Sequence, residues 1–249
     1  MLILILAPLF PPTLLAQAGD QDRSPRLEIE LEGGPVWQTR NDVRIPNEGG
    51  TKFSLVDLIG SGPFASVRLE AAYNISRRHG LRLVLAPLTI SGTGTLDEPV
   101  EFAGASFAAG IPTEGRYRFN SYRLTYRYRF HDGRKWRWHI GFTAKIRDAK
   151  VALQQEGASA SDSNVGPVPL IHLAGQVRLG PRWRISGDLD ALGAPQGRAE
   201  DLALKVRYDP TERWSLALGY RTLEGGADSD TVYTFAWLHY VVASVALRL

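Results

Sequence analysis

The chain has 249 residues and carries 29 Lys+Arg against 26 Asp+Glu, a formal net charge of +3. That length holds one large β-domain or two smaller ones, and so mild a basic excess, with no run of more than two Lys or Arg, leaves no nucleic-acid footprint. Cysteine is absent, which excludes thiol catalysis, a disulfide framework and Cys-ligated zinc together, and suits a chain exported through an oxidising compartment.

The sequence opens MLILILAPLFPPTLLAQAGD, an apolar run ending in Ala16-Gln17-Ala18, the small-x-small pattern of a secretory cleavage site. Prolines at 8, 11 and 12 make it a poor transmembrane helix. Residues 1–18 are therefore expected to be a signal peptide, and 19–249 the mature domain. Past that point no apolar run approaches the ~20 residues that a spanning helix needs.

From residue 27 onward the chain alternates with a period of two, the signature of β-strands. Leu27, Ile29 and Leu31 alternate with Glu28, Glu30 and Glu32; Val67 to Ile75 alternate with Arg68 and Glu70; Leu81, Leu83 and Leu85 follow. NSYRLTYRYRF (120–130) sets Tyr122, Leu124, Tyr126, Tyr128 and Phe130 on one side and Arg123, Thr125, Arg127 and Arg129 on the other. Further segments run from Trp136 to Arg147, Ile171 to Leu179, Trp183 to Ala191, Leu202 to Tyr208, Trp214 to Tyr220 and Val232 to Leu249. This makes about ten strands, most of the ~9–11 residues that cross a bilayer when tilted.

Two kinds of connection alternate along the chain. Residues 76–80, 131–135, 180–182 and 209–213 are tight turns of Gly, Pro and Asp, whereas 41–62, 95–115, 154–166, 193–200 and 224–230 read as longer links. Trp136, Trp138, Trp183 and Trp214 stand just after tight turns, and Tyr128, Phe130 and Tyr208 just before them. Trp37, Tyr117, Phe119, Tyr220, Phe235 and Trp237 are expected to mark a second level near the long links. A lipid interface selects such belts, because an amphipathic ring gains from a half-wet position. A general preference of aromatics for strands explains their presence but not their clustering beside turns.

These patterns decide which face is buried, and in what. A soluble barrel or sandwich would bury the tyrosines and expose the arginines. An all-β transmembrane antiparallel up-and-down barrel of about ten strands does the reverse, and only that reading explains the turn-level tryptophans. The chain resembles bacterial outer-membrane β-barrel proteins as a class, over about residues 26–249, on the AQA at 16–18, the alternating strands and the terminal VVASVALRL. The resemblance implies outer-membrane localisation, contact with outer-membrane lipid and lipopolysaccharide, and insertion by the barrel-assembly machinery. Such proteins typically end in an aromatic residue, where this chain has Leu249.

The inward face is then crowded with charge: Glu28, Glu30, Glu32, Arg68, Glu70, Arg82, Arg123, Arg127, Arg129, Arg137, Lys145, Arg147, Arg178, Arg184, Asp188, Asp190, Lys205, Arg207, Arg221 and Arg248. A barrel this narrow is nearly filled by its own side chains, so an ion-pair network is expected, with Arg248 near Glu28 or Glu30 where the first and last strands meet. Excess positive charge would favour anions in any open path.

One constellation resembles catalytic machinery. A three-residue turn at 180–182 sets His172 opposite Asp190, or, shifted by two, opposite Asp188, near the long-link end. A histidine oriented by a carboxylate is a general-base arrangement. Omptin-like outer-membrane proteases use Asp and His near the outer rim, but their motif spacing is not reproduced here. The five histidines show no metal-ligand spacing, and GSGPFA (60–65) precedes a strand rather than a phosphate-binding helix, so no metal or cofactor is expected. The first long link is unusually apolar (Phe53, Leu55, Val56, Leu58, Ile59). It is expected to pack against other loops, fold inward as a lid, lie on lipid or bind a partner.

The sequence therefore predicts a non-enzymatic structural or surface-interaction barrel with a charge-filled lumen and an extracellular ligand, if any, at the long loops. The alternatives are a narrow anion-leaning pore and a rim hydrolase, protease or lipid A modifying, that uses His172 with Asp188 or Asp190.

Overall fold

A computed structural model describes residues 25–195 and 197–249; the expected signal peptide lies outside them. In chain order the elements are β1 (Leu27–Arg44), β2 (Phe53–Ser54), α1 (Leu55–Ile59), β3 (Phe64–Asn74), β4 (His79–Ala86), β5 (Thr89–Thr95), β6 (Val100–Phe102), β7 (Ala105–Phe107) and β8 (Pro112–Asp132). β9 (Trp136–Gln155), β10 (Ala158–Arg178), β11 (Trp183–Ala194), β12 (Gly197–Tyr208), β13 (Trp214–Asp228) and β14 (Tyr233–Arg248) complete the chain.

Ten staves close into an antiparallel up-and-down barrel: β1, β3, β4 continued by β5, and β8 to β14. β14 returns to β1 in a register running from Glu28↔Arg248 to Arg44↔Tyr233. Closure removes the unpaired edges that a flat sheet would leave. The orientation is the one the alternation demands. Leu124, Tyr126, Phe142, Leu204 and Leu218 are exposed on the outside, while Arg82, Arg123, Thr125, Thr143 and His172 are fully buried inside. An apolar exterior this continuous far exceeds what a soluble monomer shows to water.

The four tight turns fall where expected, at one end of the barrel. Three of the long links do not exist as long loops, 224–230 among them, since β13 runs to Asp228 and β14 begins at Tyr233. The 154–166 stretch turns tightly at Glu156-Gly157, with Gly157 at φ 79°, and its remainder continues β9 and β10. Likewise β11 and β12 approach within two residues of each other. The Ser- and Ala-rich ASASDSN stretch reads as loop because neither face is apolar, yet a solvated hairpin still pairs its backbone groups. β8, β9 and β10 consequently reach 21, 20 and 21 residues, about twice what the bilayer requires, and stand above the barrel as a tall wall.

The second aromatic level also needs correction. Tyr220 and Trp237 do face outward, but Tyr117 and Phe119 point inward and join the apolar core. They share the parity of Arg123 on β8, and that parity governs their direction.

The first long link folds inward and also packs against another long link, with Phe53 on Phe102, so that two of the expected alternatives hold together. Ser54 caps α1 by accepting the Asp57 N–H at 3.2 Å, and Leu55 and Leu58 are buried with Val36, Ile90, Tyr117, Leu153 and Leu238. The close approach depends on glycines of the wall. A Cβ on Gly94 would strike the Leu58 carbonyl oxygen, and one on Gly115 would come within 2.7 Å of the Ile59 side chain. The barrel interior is thus apolar at the end away from the tight turns and ionic below.

The wall itself parts in one place. β4 pairs with β3 only from Leu69↔Leu85 to Asn74↔Gly80. Phe64–Arg68 pairs with β1, whereas β5 pairs with β8. Pro87, between β4 and β5, has no N–H with which to continue the ladder. The upper part of β3 and β5 therefore face each other across a seam, backed on the inside by α1.

Candidate functional site

The lumen is built from strands that each send alternate side chains inward. Next to the tight turns, Arg248 pairs with Glu28 at 2.9 Å and with Asp209 at 2.7 Å, and Arg184 pairs with Asp209 at 2.9 Å. Above them Arg207 and Lys205 hold Glu30 at 2.6 and 2.7 Å, and Lys205 also contacts Glu32. Arg82 binds three carboxylates, Glu70 at 2.9 Å, Asp188 at 3.0 Å and Asp190 at 3.3 Å. Higher still, Asp201 collects Arg68, Arg123 and Arg221, and Arg221 reaches Glu32 at 2.9 Å. Ions buried this deeply are tolerated only when paired and hydrogen-bonded, which is why so many share one interior.

Most of the expected lumen residues take part in or border this network. Arg127 points inward, Arg129 and Arg137 pair with Asp132 at the tight-turn rim, and Arg147 bonds Asn164 of the neighbouring strand instead of a carboxylate. Arg178 ends β10 opposite Arg184 and is exposed at the tight-turn end. Asp201 was missing from the expected set. Starting β12 at Leu202 left it just outside the strand, although its parity with Lys205 and Arg207 is the signal that finds it. Of the aromatics expected at an interface beside the tight turns, Phe130, Trp136, Trp183 and Trp214 are exposed and Tyr128, Trp138 and Tyr208 half-buried. Trp136 stacks on Trp138 and Trp183 packs on Tyr208 with centroids 6.2 and 4.8 Å apart.

His172 and Asp190 are paired in the predicted register. His172 Nδ1 lies 2.8 Å from Asp190 Oδ1, which also accepts the Thr143 hydroxyl at 2.9 Å, while Oδ2 accepts from Arg123 and Arg82. His172 Nε2 points toward Asp188 Oδ2 at 3.9 Å and has no hydrogen-bond partner among the described residues. The pair is not near the long-link end, as the sequence suggested. His172 is six residues from the tight-turn end of the 21-residue β10, below the apolar plug, because the strand extends far beyond the loop boundary assumed. His172, Asp188 and Asp190 bring ligand atoms within 4.8 Å of one another, but Arg82 already supplies the cation to both carboxylates.

No protein-family profile and no curated protein matches the sequence. Among solved structures, the outer membrane protease OmpT from Escherichia coli is similar in fold, with a TM-score of 0.53 and 11% identity over 90% of this chain and 96% of that one. Neisserial surface protein A aligns over 90% and 97% of the two chains at 12% identity and a TM-score of 0.36. Ail from Yersinia pestis aligns over 89% and 99% at 10% identity and a TM-score of 0.41. With its closed ten-strand architecture and apolar exterior, the chain has the fold of a bacterial outer-membrane β-barrel, as that protease does.

Proposed function

We propose that the protein is a non-conducting barrel that works through its exterior and its projecting β8–β10 wall, in contact with lipopolysaccharide, after insertion by the barrel-assembly machinery. The observation that carries this reading is the two-layer filling of the interior. Ion pairs cross the lower lumen between facing strands, and the apolar cluster around Leu55, Phe102 and Leu238 occupies the upper mouth. A hydrated ion traversing the barrel would have to break both. The deep burial of His172 and Asp190, and the engagement of both Asp190 oxygens by donors, support a structural role for that pair over hydrolysis.

The test is planar-bilayer recording with the purified barrel. A closed lumen gives no steady conductance; a reproducible ion-selective open state would refute the proposal in favour of a pore.

A further inference from the structure

A cavity of about 30 Å³ lies at the foot of the seam, between β3 and residues 86–88, where β4 passes into β5, which is room for a small polar group. Its inner lining includes Arg68, Arg123, Arg221 and Glu32, yet Val67 and Pro87, both exposed on the barrel exterior, line it as well. It therefore connects the lumen with the lipid-facing wall. Val67 stands seven residues above Asn74, the tight-turn end of β3. At ~3.3 Å per residue and ~40° of tilt this is roughly 18 Å up, within the upper part of an apolar band ~25 Å tall.

The charges around the cavity are not balanced. Arg123 is bonded through all three nitrogens, to Ser121, Asp190 and Asp201. Arg221 is bonded through all three to Glu32 and Asp201. Glu32 is itself occupied by Arg221 and Lys205. Arg68 differs. It makes one bond, from Nη1 to Asp201 at 3.1 Å, and its Nε and Nη2 are buried without a partner. Among the described residues it is the one side chain with two such nitrogens, and it is only 6% exposed. Lys145, 4% exposed, sits over Phe119 at 4.8 Å, with Arg123, Arg147 and Arg68 as the cations around it. Nε and Nη2 form the edge of a guanidinium that grips a carboxylate with two parallel hydrogen bonds.

The geometry points to a binding site for a carboxylate-headed, single-chain amphiphile that enters sideways from the bilayer, its head on Arg68 and its chain passing out between Val67 and Pro87. The cavity admits the head but not a chain, and the seam leads the chain into lipid. Access from the aqueous ends is blocked by the plug and the ion network. The bilayer route rests on the closed lumen proposed above; the Arg68 site itself lies in the wall and stands apart from conductance.

The test uses the whole folded barrel in nonionic micelles, titrated with dodecanoate carrying a ¹³C carboxylate and read by NMR. Saturable binding is expected, at least tenfold weaker in Arg68→Gln, with uncharged dodecanol failing to compete. Acetate, the head without a chain, is expected to bind at least tenfold more weakly; equal affinity would overturn the bilayer route and leave a free-anion site. Because Arg68→Gln disturbs the ion network, Val67→Trp provides an independent check. It narrows the mouth from the lipid side, leaves Arg68 intact, and is expected to weaken binding at least threefold while the unheated protein keeps its folded gel mobility. Absence of saturable binding to the unmutated barrel, or binding by folded Val67→Trp equal to it, overturns the proposal.

Discussion

Arg123 on β8 donates from Nη2 to Asp201 on β12 at 2.6 Å, an ion pair thrown across the lumen between staves four apart in the ring. Asp201 also accepts Arg68 and Arg221; Arg123 and Arg221 have a second carboxylate each, in Asp190 and Glu32, but Asp201 is the one ion-pair partner of Arg68 among the described residues. Removing one partner of a buried ionic cluster costs about 3–5 kcal/mol, because the remaining charges stay buried and uncompensated. Asp201→Ala is therefore expected to destabilise the barrel by about that amount, measured by urea unfolding from lipid vesicles with tryptophan fluorescence as the signal. A loss below ~1 kcal/mol would mean that water reaches these arginines.

The orientation of the wall makes an opposite demand on the exterior. Leu218 is 63% exposed and lies four residues above Trp214 on β13, close to the middle of the apolar band. Leu218→Arg is expected to cost about 2–4 kcal/mol, the penalty for a guanidinium at the bilayer midplane. The same vesicle unfolding assay checks it, and Glu212→Arg in the adjacent turn serves as a near-neutral control.

The second prediction draws on the part of the structure that was legible in the sequence, whereas the first turns on Asp201, which the sequence reading left out of the lumen. Period-two alternation fixes the face of every residue once one strand is oriented, so Tyr126 outward and Arg123 inward follow from lipid and ion-pair physics without any tertiary information. Turn chemistry set the His172↔Asp190 relation, since register is locked by the shortest connections, and closure of the barrel brought Arg248 to the strand of Glu28 and Glu30. What alternation does not carry is strand length in water. The end of β9 and the start of β10 offer only Val151, Leu153 and small alanines on their inner face, between polar residues and beside a Gly, so the stretch from 154 reads as loop. The plug was visible as an apolar stretch, but its destination rests on Gly92, Gly94 and Gly115 in distant strands, and nothing local reports that α1 fits against them. The seam is a property of pairing between non-consecutive segments and has no local signature beyond Pro87.

The plug is testable through its anchor. Leu55 is fully buried in the apolar cluster, and truncating such a leucine costs about 2–5 kcal/mol where the surroundings do not collapse. In a barrel most of that loss falls on the plug and not on the strands, whose pairing is unaffected. Leu55→Ala is expected to expose the Leu55–Ile59 turn to protease in the folded protein while the unheated band still migrates faster than the heated one. A second route is Gly94→Val, which drives a side chain into the Leu58 carbonyl and should release the plug without deleting any apolar contact.

Access to the lower lumen separates a structural from a reactive role for its histidine. His79 and His131 are exposed at the tight-turn end, while His172 is fully buried with Nδ1 held on Asp190. Its free Nε2 is the atom that an acylating reagent would attack, so chemistry does not protect it; only exclusion does. Diethyl pyrocarbonate applied to the folded barrel is expected to modify His79 and His131 readily and His172 at least tenfold more slowly, as read by peptide mass spectrometry, with the difference vanishing after heating. Reaction of His172 at the rate of His131 would mean that solutes of that size enter the ionic layer, and both the closed lumen and the structural assignment of the His172–Asp190 pair would fall together.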